Sequence, residues 1–412
     1  MIMSTSVDLI AHLMRRAAFG GTAEELESLA EKGYDSVVDE LLHPERFERP
    51  AEDLFDRYHW DMVHFRGGEQ TNARWFYRMT NSPRILEEKV ALMWHGIFAT
   101  GAVKVTINTW MAKQIDMFRD NGLGNFSVLL KNLASDPAMI YWLDNQTNHA
   151  DAPNENWGRE LLELFSMGVG NYSEDDVKQA ARAFTGWTIQ QMLPRYPYGF
   201  YDTEFKKDRL DHDKASKTFL GEKGNFDGDD IIDIIVRQPA TANFVAHKIY
   251  NFFVSETPNE KAEAELAEAY LNGKYEIRSV LHKLFHSDWF KKARFEKVKS
   301  PAETVVNTIK LAGLFRTPRE FGLINLPGRA TGMGQTLLNP PTVEGWHTGK
   351  EWIDTASLVE RVNFISEKLG DRNNPGVERM VERVMQGKTS ITINEMLDAC
   401  LYELGSVYIN DT

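Results

Sequence analysis

The sequence predicts a mainly α-helical protein, an irregular array of many helices with one small β-hairpin or flap inserted at about 188–221. Three observations carry that expectation. Apolar residues recur at three- and four-residue spacing through most of the chain. Helix-start signatures recur with them. Proline, glycine and aromatic residues interrupt the pattern in two places only.

Taken in order, residues 5–18 read as a first helix. Thr22-Ala-Glu-Glu25 is a capping box that opens a second helix, running to about Gly33. Ser82-Pro83 opens another, with Leu86, Val90, Met93 and Ile97 as its core stripe. Asp136-Pro137, Ser173 with Asp176, and Ser300-Pro301 with Glu303 repeat the same start signature. Residues 240–254 and 277–286 continue the helical period.

The first interruption holds the short runs Tyr198-Gly-Phe-Tyr201 and Lys217-Thr-Phe-Leu220, which suit strands. The second, roughly 321–356, is a Gly/Pro-rich loop region of the kind that often carries function. Residues 371–376 read as a linker. The expected organisation is one large helical domain over 1–370 and a C-terminal helical cap over 371–412.

Composition narrows the function classes. Hydrophobic residues make up 42% and charged residues 26% of the 412, which is ordinary for a soluble globular protein. A net charge of −13 argues against nucleic acid as a partner, because phosphate binding needs a concentrated basic surface. The single Cys400 allows no intramolecular disulfide and suggests no disulfide-linked partner. It lies in an apolar C-terminal helix, which points to a buried thiol. No apolar run approaches the roughly 20 residues of a membrane span. Arg15-Arg16 leads into Ala-Ala-Phe-Gly-Gly and acidic residues rather than a hydrophobic export stretch. The chain as given reads as cytoplasmic, with export expected only if a leader is missing. No Walker loop, dinucleotide fingerprint or Gly-x-Ser-x-Gly elbow is present, so no nucleotide cofactor is expected.

The segment Asp151–Phe165 concentrates the polar chemistry. Pro153 stops any upstream helix, and Asn154 or Asn156 can cap a new one. On that helix Asn156, Arg159, Glu160 and Glu163 share one face, while Trp157, Leu161, Leu164 and Phe165 share the other. Glu155–Arg159 and Arg159–Glu163 are i,i+4 pairs, and Gly168 is placed to end the helix. Spacing alone favours a solvated ion-pair ladder. The functional reading is a buried polar face in which Glu160 and Glu163 share a divalent metal or divide acid and base roles. With no HExxH or ExxH partner on the helix, the metal signal is weak.

Several segments together resemble the bacterial domain-of-unknown-function 1800 family. They are Met93-Trp-His-Gly-Ile-Phe-Ala-Thr100, Pro153–Phe165, Arg182-Ala-Phe-Thr-Gly-Trp187, and His212-Asp213 followed by Lys217–Gly221. Asn225-Phe-Asp-Gly-Asp229, Gln238-Pro-Ala-Thr241 and Pro340-Pro-Thr-Val-Glu-Gly-Trp346 continue the series. The resemblance spans nearly the whole chain and implies no assigned activity, although members often look exported. Where that family often reads Trp-His-x-His-Phe, this chain has Trp94-His95-Gly96-Ile97-Phe98, so a site needing both imidazoles is in doubt.

Beyond the 151–165 segment, His95 sits in apolar company as either a core histidine or a general base. Asp211-His212-Asp213 can orient an imidazole through a carboxylate, or be a solvated loop. Arg182 with Lys178 can form an anion-binding face, or a solvent-facing pair. Lys248 can snorkel or bind. Asn225–Asp229 lacks EF-hand spacing and reads as a turn and helix cap. Trp346 and Trp352 can stack on a sugar or aromatic ligand, or pack over the core.

Two functions follow from these candidates. One is an enzyme acting on an anionic small molecule or polymer, with His95, Glu160, Glu163 and His212 as catalytic groups. Asn154, Glu155, Asn156, Arg159, Arg182 and Lys248 then bind substrate. The other is a non-catalytic helical binding or assembly module whose polar cluster is structural. Burial of the 154–163 face discriminates them.

Overall fold

The structure is a computed structural model, and it describes residues 2–51, 54–55, 57–59, 69–191, 203–320, 322–385 and 387–408. Among these the architecture is helical, with two small antiparallel two-stranded ladders.

The chain opens with α1 (Ile2–Ala17), α2 (Ala23–Lys32) and α3 (Tyr34–Leu42). α1 begins three residues before the expected start. α2 starts as predicted, with Thr22 Oγ1 accepting the Glu25 N–H and Glu25 returning a bond to the Thr22 N–H.

α4 (Glu69–Asn81), α5 (Ile85–Ile97) and α6 (Asn108–Asn121) follow. α5 departs from the amphipathic helix its stripe predicted. Every residue from Leu86 to His95 is buried, whereas Ile97 is only half-buried. A helix enclosed on all sides must pair its charges, and α5 does. Arg49 lies 2.9 Å from Glu87, Arg119 Nε donates to Glu88 at 3.2 Å, and Lys89 pairs with Glu303.

α7 (Phe126–Ala134) and α8 (Pro137–Trp142) lead to α9 (Asn156–Glu163) and α10 (Glu174–Ala183). Gly158 lets these last two meet, since a Cβ there would lie 3.1 Å from Ala181 N and 3.2 Å from Val177 O. Strand β1 (Trp187–Gln191) pairs with β2 (Thr203–Lys207), Trp187 opposite Lys207. β3 (Lys217–Phe219) pairs with β4 (Glu222–Gly224). The turn between β3 and β4 holds Leu220 at φ 46° and Gly221 at φ 83°, the two positive angles a tight hairpin of this hand requires. The insertion is therefore a pair of small ladders, and Tyr198–Tyr201 falls outside the described residues.

α11 (Gly228–Val236) is capped by Asp227, as the turn-and-cap reading of 225–229 expected. α12 (Pro239–Phe253), α13 (Glu260–Asn272), α14 (Ile277–His286) and α15 (Asp288–Lys292) form the next group. α16 (Pro301–Ala312) is the second central helix, capped by Ser300 and buried at every position except the half-buried Asn307. The Gly/Pro-rich region is less irregular than expected, because α17 (Leu326–Gly332) takes up Gly328 and Gly332 within it. α18 (Thr355–Leu369), α19 (Pro375–Met385) and α20 (Ile393–Glu403) complete the chain. One connected set of buried apolar side chains runs from Val7 to Phe364.

Cys400 corrects an expectation: the thiol is exposed. α20 meets the rest of the fold through Tyr402 and Glu403, which bond Glu27 and Arg383. Its apolar Ile393, Met396 and Leu397 remain exposed, so apolar neighbours in sequence do not bury the thiol.

Candidate functional site

The polar helix comes first. Asn154 accepts the Asn156 N–H at 3.0 Å and donates to Thr147 Oγ1 at 3.0 Å, while Asn148 Oδ1 accepts the Asn154 N–H at 2.9 Å. Asn154 thus supplies a cap-like bond, whereas the N-cap position itself falls on Glu155 without a side-chain bond. Asn156 is exposed and ties back to Leu143 O at 3.1 Å. Arg159 grips Glu174 through both guanidinium nitrogens at 2.9 and 2.7 Å and reaches Glu155 at 3.2 Å. The expected Arg159–Glu163 pair does not form, because Glu163 instead accepts the Tyr172 hydroxyl at 2.8 Å. α9 also stops at Glu163; Gly168, at φ 78°, closes the turn that follows it.

The predicted faces hold, with Trp157, Leu161 and Phe165 buried beneath the polar row. Most of that row is stitching, fastening the 143–148 turn and α10 to α9. Glu160 is the exception. It is half-buried without a hydrogen bond among the described residues. Burial raises its carboxyl above the usual range, the nearby charges of Glu163 and Glu344 add to the rise, and Arg159 opposes it.

His95 is fully buried. Its Nε2 accepts the Leu338 N–H at 2.9 Å, so the ring proton sits on Nδ1, which has no partner among the described residues. The ring lies edge-on between Trp75 at 5.4 Å and Trp346 at 5.3 Å. Burial pulls its pKa down to about 3, leaving a neutral imidazole that anchors the 337–346 loop.

His212 stands elsewhere, lining a groove of about 330 Å³ beside Trp187 and Lys207. Its Nδ1 donates to Thr185 O at 3.0 Å, so neither flanking carboxylate orients it as expected. Asp211 pairs with His149, and Asp213 accepts Arg182 Nε at 2.7 Å. Arg182 thus bonds Asp213 and Gln179 rather than forming an anion face with Lys178.

A second cavity, of about 230 Å³, lies where the end of α5, α12, the Lys297–Glu303 segment and the 335–352 loop meet. Leu92, Met93, Ile97, Phe252, Trp346 and Trp352 give it apolar walls. Ile97, at the position of the missing second imidazole, is one of them. At the inner end Lys89 and Arg16 both pair with Glu303, Arg16 at 3.5 Å, and Lys297 pairs with Glu256 at 2.8 Å. Side-chain exposure there is 5% for Glu303 and 7% for Lys297.

Burial works to raise the Glu303 carboxyl, yet the Lys89 and Arg16 charges outweigh it and hold it at about 2. Burial lowers Lys89 to about 8 and, with Arg15 and Arg16 adding to it, Lys299 to about 7. Three cations, Arg16, Lys89 and Lys297, thus share two carboxylates, Glu256 and Glu303, with Lys299 close enough to feel Glu303. At the outer rim Lys248 lines the cavity and stacks over Phe244 at 5.2 Å; burial lowers its pKa and Glu344 opposes the fall.

The Pro340–Trp346 loop is where the candidates meet. Glu344 bears on both Glu160 and Lys248, and Trp346 packs on His95. Gly345 makes the contact with α5, since a Cβ there would lie 2.2 Å from Gly96 O. Asn154, Glu155, Asn156 and Arg159 do not line the cavity, and His212 lines another. Among the described residues no three His, Cys, Asp or Glu side chains gather as a metal site would need.

Sequence reasoning missed Lys89, Lys297, Glu303 and Glu344. One signal was available: Glu87-Glu88-Lys89 directly precedes the apolar run Val90–Trp94 on the same helix. Glu303 was read only as a capping residue, and it does accept the Ser300 N–H at 2.7 Å. Its second role depends on α5 crossing it.

Among the described residues no helix is long and apolar enough to cross a membrane. No curated protein and no solved structure matches the chain. Residues 12–404 match the family described as Protein of unknown function (DUF1800). With a match over nearly its full length, the chain belongs to that family.

Proposed function

We propose that this protein binds a small anionic molecule in the cavity between α5, α12 and the 335–352 loop, with Lys297 holding the anionic group. The observation that carries this reading is the charge imbalance at the inner end, where three cations, Arg16, Lys89 and Lys297, face two carboxylates, Glu256 and Glu303. Buried charge without a partner is costly, and an anion in the cavity would supply the missing negative charge. The apolar and aromatic walls fit a ligand with an apolar body.

The 154–163 face supports a binding module over an enzyme built on that face. Its asparagines and arginine are spent on structural bonds, and His95 is a neutral loop anchor. Arg182 and His212 fall outside the proposed site, whereas Lys248 belongs to it.

The test is calorimetric titration of the full chain with a panel of apolar monocarboxylates and phosphate monoesters. Binding by at least one, weakened about tenfold to a hundredfold in Lys297→Met, is the expected result, given roughly 1.5–3 kcal/mol for a hydrogen bond to a charged group. Binding by no anion, or equal binding to Lys297→Met, overturns the reading.

A further inference from the structure

The cavity is charged unequally at its two ends. The inner end holds the surplus of cations around Glu303. The rim reverses the sign. Glu344 is exposed there, and Glu160, carried by α9, feels both Glu344 and Glu163. Glu163 is held by the Tyr172 hydroxyl, and against Glu344 and Glu160 stands Lys248. Arg159, which also bears on Glu160, is already gripped by Glu174 and Glu155. His247, on the same wall as Lys248, is paired with Glu263 at 3.0 Å. A simple anion would satisfy the inner end and be repelled at the rim.

We infer that the ligand is a zwitterion of amino-acid size, its carboxylate against Lys297 and its ammonium at the rim formed by Glu344 and Trp346. The half-exposed Trp346 adds an aromatic ring beside that carboxylate, and an ammonium is attracted both to a carboxylate and to an indole face. A cavity of about 230 Å³ leaves room for an amino acid with a branched or aromatic side chain. Leu92, Met93, Ile97 and Phe252 provide the apolar wall for that side chain. Glu160 has a place in this arrangement: its crowding with Glu163 and Glu344 is relieved when a cation arrives.

This inference rests on the proposed anion site, and the probes separate the two. Phenylalanine and leucine are titrated into the full chain beside hydrocinnamate and isocaproate, which lack the ammonium. Phenethylamine and isopentylamine, which lack the carboxylate, complete the set. The expected result is that at least one amino acid binds about tenfold or more tighter than its deaminated analogue, and that the amines do not bind. Glu344→Gln should erase that advantage, weakening the amino acids and, with the repulsion at the rim reduced, binding the plain carboxylates no less tightly than the parent does; Glu344 is exposed, so the variant should fold as the parent does. Carboxylates binding as tightly as the amino acids overturns the zwitterion and leaves the anion site standing. An advantage that survives in Glu344→Gln overturns the assigned rim. Binding by the amines alone, or by nothing in the set, overturns the zwitterion, and the anion site falls with it only if the phosphate monoesters also fail to bind.

Discussion

The α9 segment and the cluster around Glu303 both gather arginine or lysine with glutamate, and they use those charges in opposite ways. In α9 the guanidinium of Arg159 meets Glu155 and Glu174 near the surface, at 34% side-chain exposure. Around Glu303 the lysines and arginine are enclosed and outnumber their carboxylates. Water screens the first set, so its geometry is a fastening of modest strength. Little water reaches the second, so each missing partner is felt in full. Density of charge along the chain therefore marks the weaker of the two regions, and burial marks the stronger.

The largest expected effect comes from breaking the buried cluster. Glu303→Ala leaves Lys89 and Arg16 without their shared carboxylate and should cost about 3–5 kcal/mol in chemical denaturation. Adding Lys89→Met to it should recover part of that loss, since the stranded ammonium goes too. A double variant no more stable than the single would show that the cap bond to Ser300, not the charge, was lost.

The next effect is read by pH. The pKa of buried His95 is lowered from 6.5 to about 3 in the fold, and that of His12 to about 4. The unfolded chain binds the extra protons first, so both contributions are present above about 6.5 and are lost as the pH falls. The loss for His95 runs from about 6.5 down to about 3 and amounts to roughly 5 kcal/mol when complete. His95→Gln should flatten the acid limb of the stability curve. An unchanged limb would remove His95 from its neutral, loop-anchoring role.

The smallest effect belongs to α9. Arg159→Ala removes contacts to two glutamates yet should cost less than about 1 kcal/mol, because those pairs are partly exposed. A cost of several kcal/mol would erase the contrast between the two regions.

Much of the framework was legible locally. Thr22, Asp136, Ser173, Ser300 and Asp227 each cap the helix that their neighbours announce, since a cap needs only the residues within one turn. The division of α9 into a polar and an apolar face was likewise readable from a 100° step. Where those signals failed, a distant partner had intervened. Glu163 prefers Tyr172 to Arg159, Arg182 prefers Asp213 to Lys178, and Cys400 stays exposed because its helix turns Tyr402 and Glu403 toward the body.

The site divides along the same line. Of the residues in the proposed site, Lys248 and Glu160 were candidates from the sequence, although the place of Glu160 beside the rim was not. Lys297, Glu303 and Glu344 were not read as site residues, because nothing in their own turns distinguishes them from surface charge. By itself the sequence determined the fold class, the caps and the family, all of which rest on local periodicity and ordered motifs. Only the tertiary structure decided which charges lose their water, since that depends on α5, α12, α16 and the 335–352 loop arriving at one place. Desolvation is a property of the assembled surface, and no spacing along one helix encodes it.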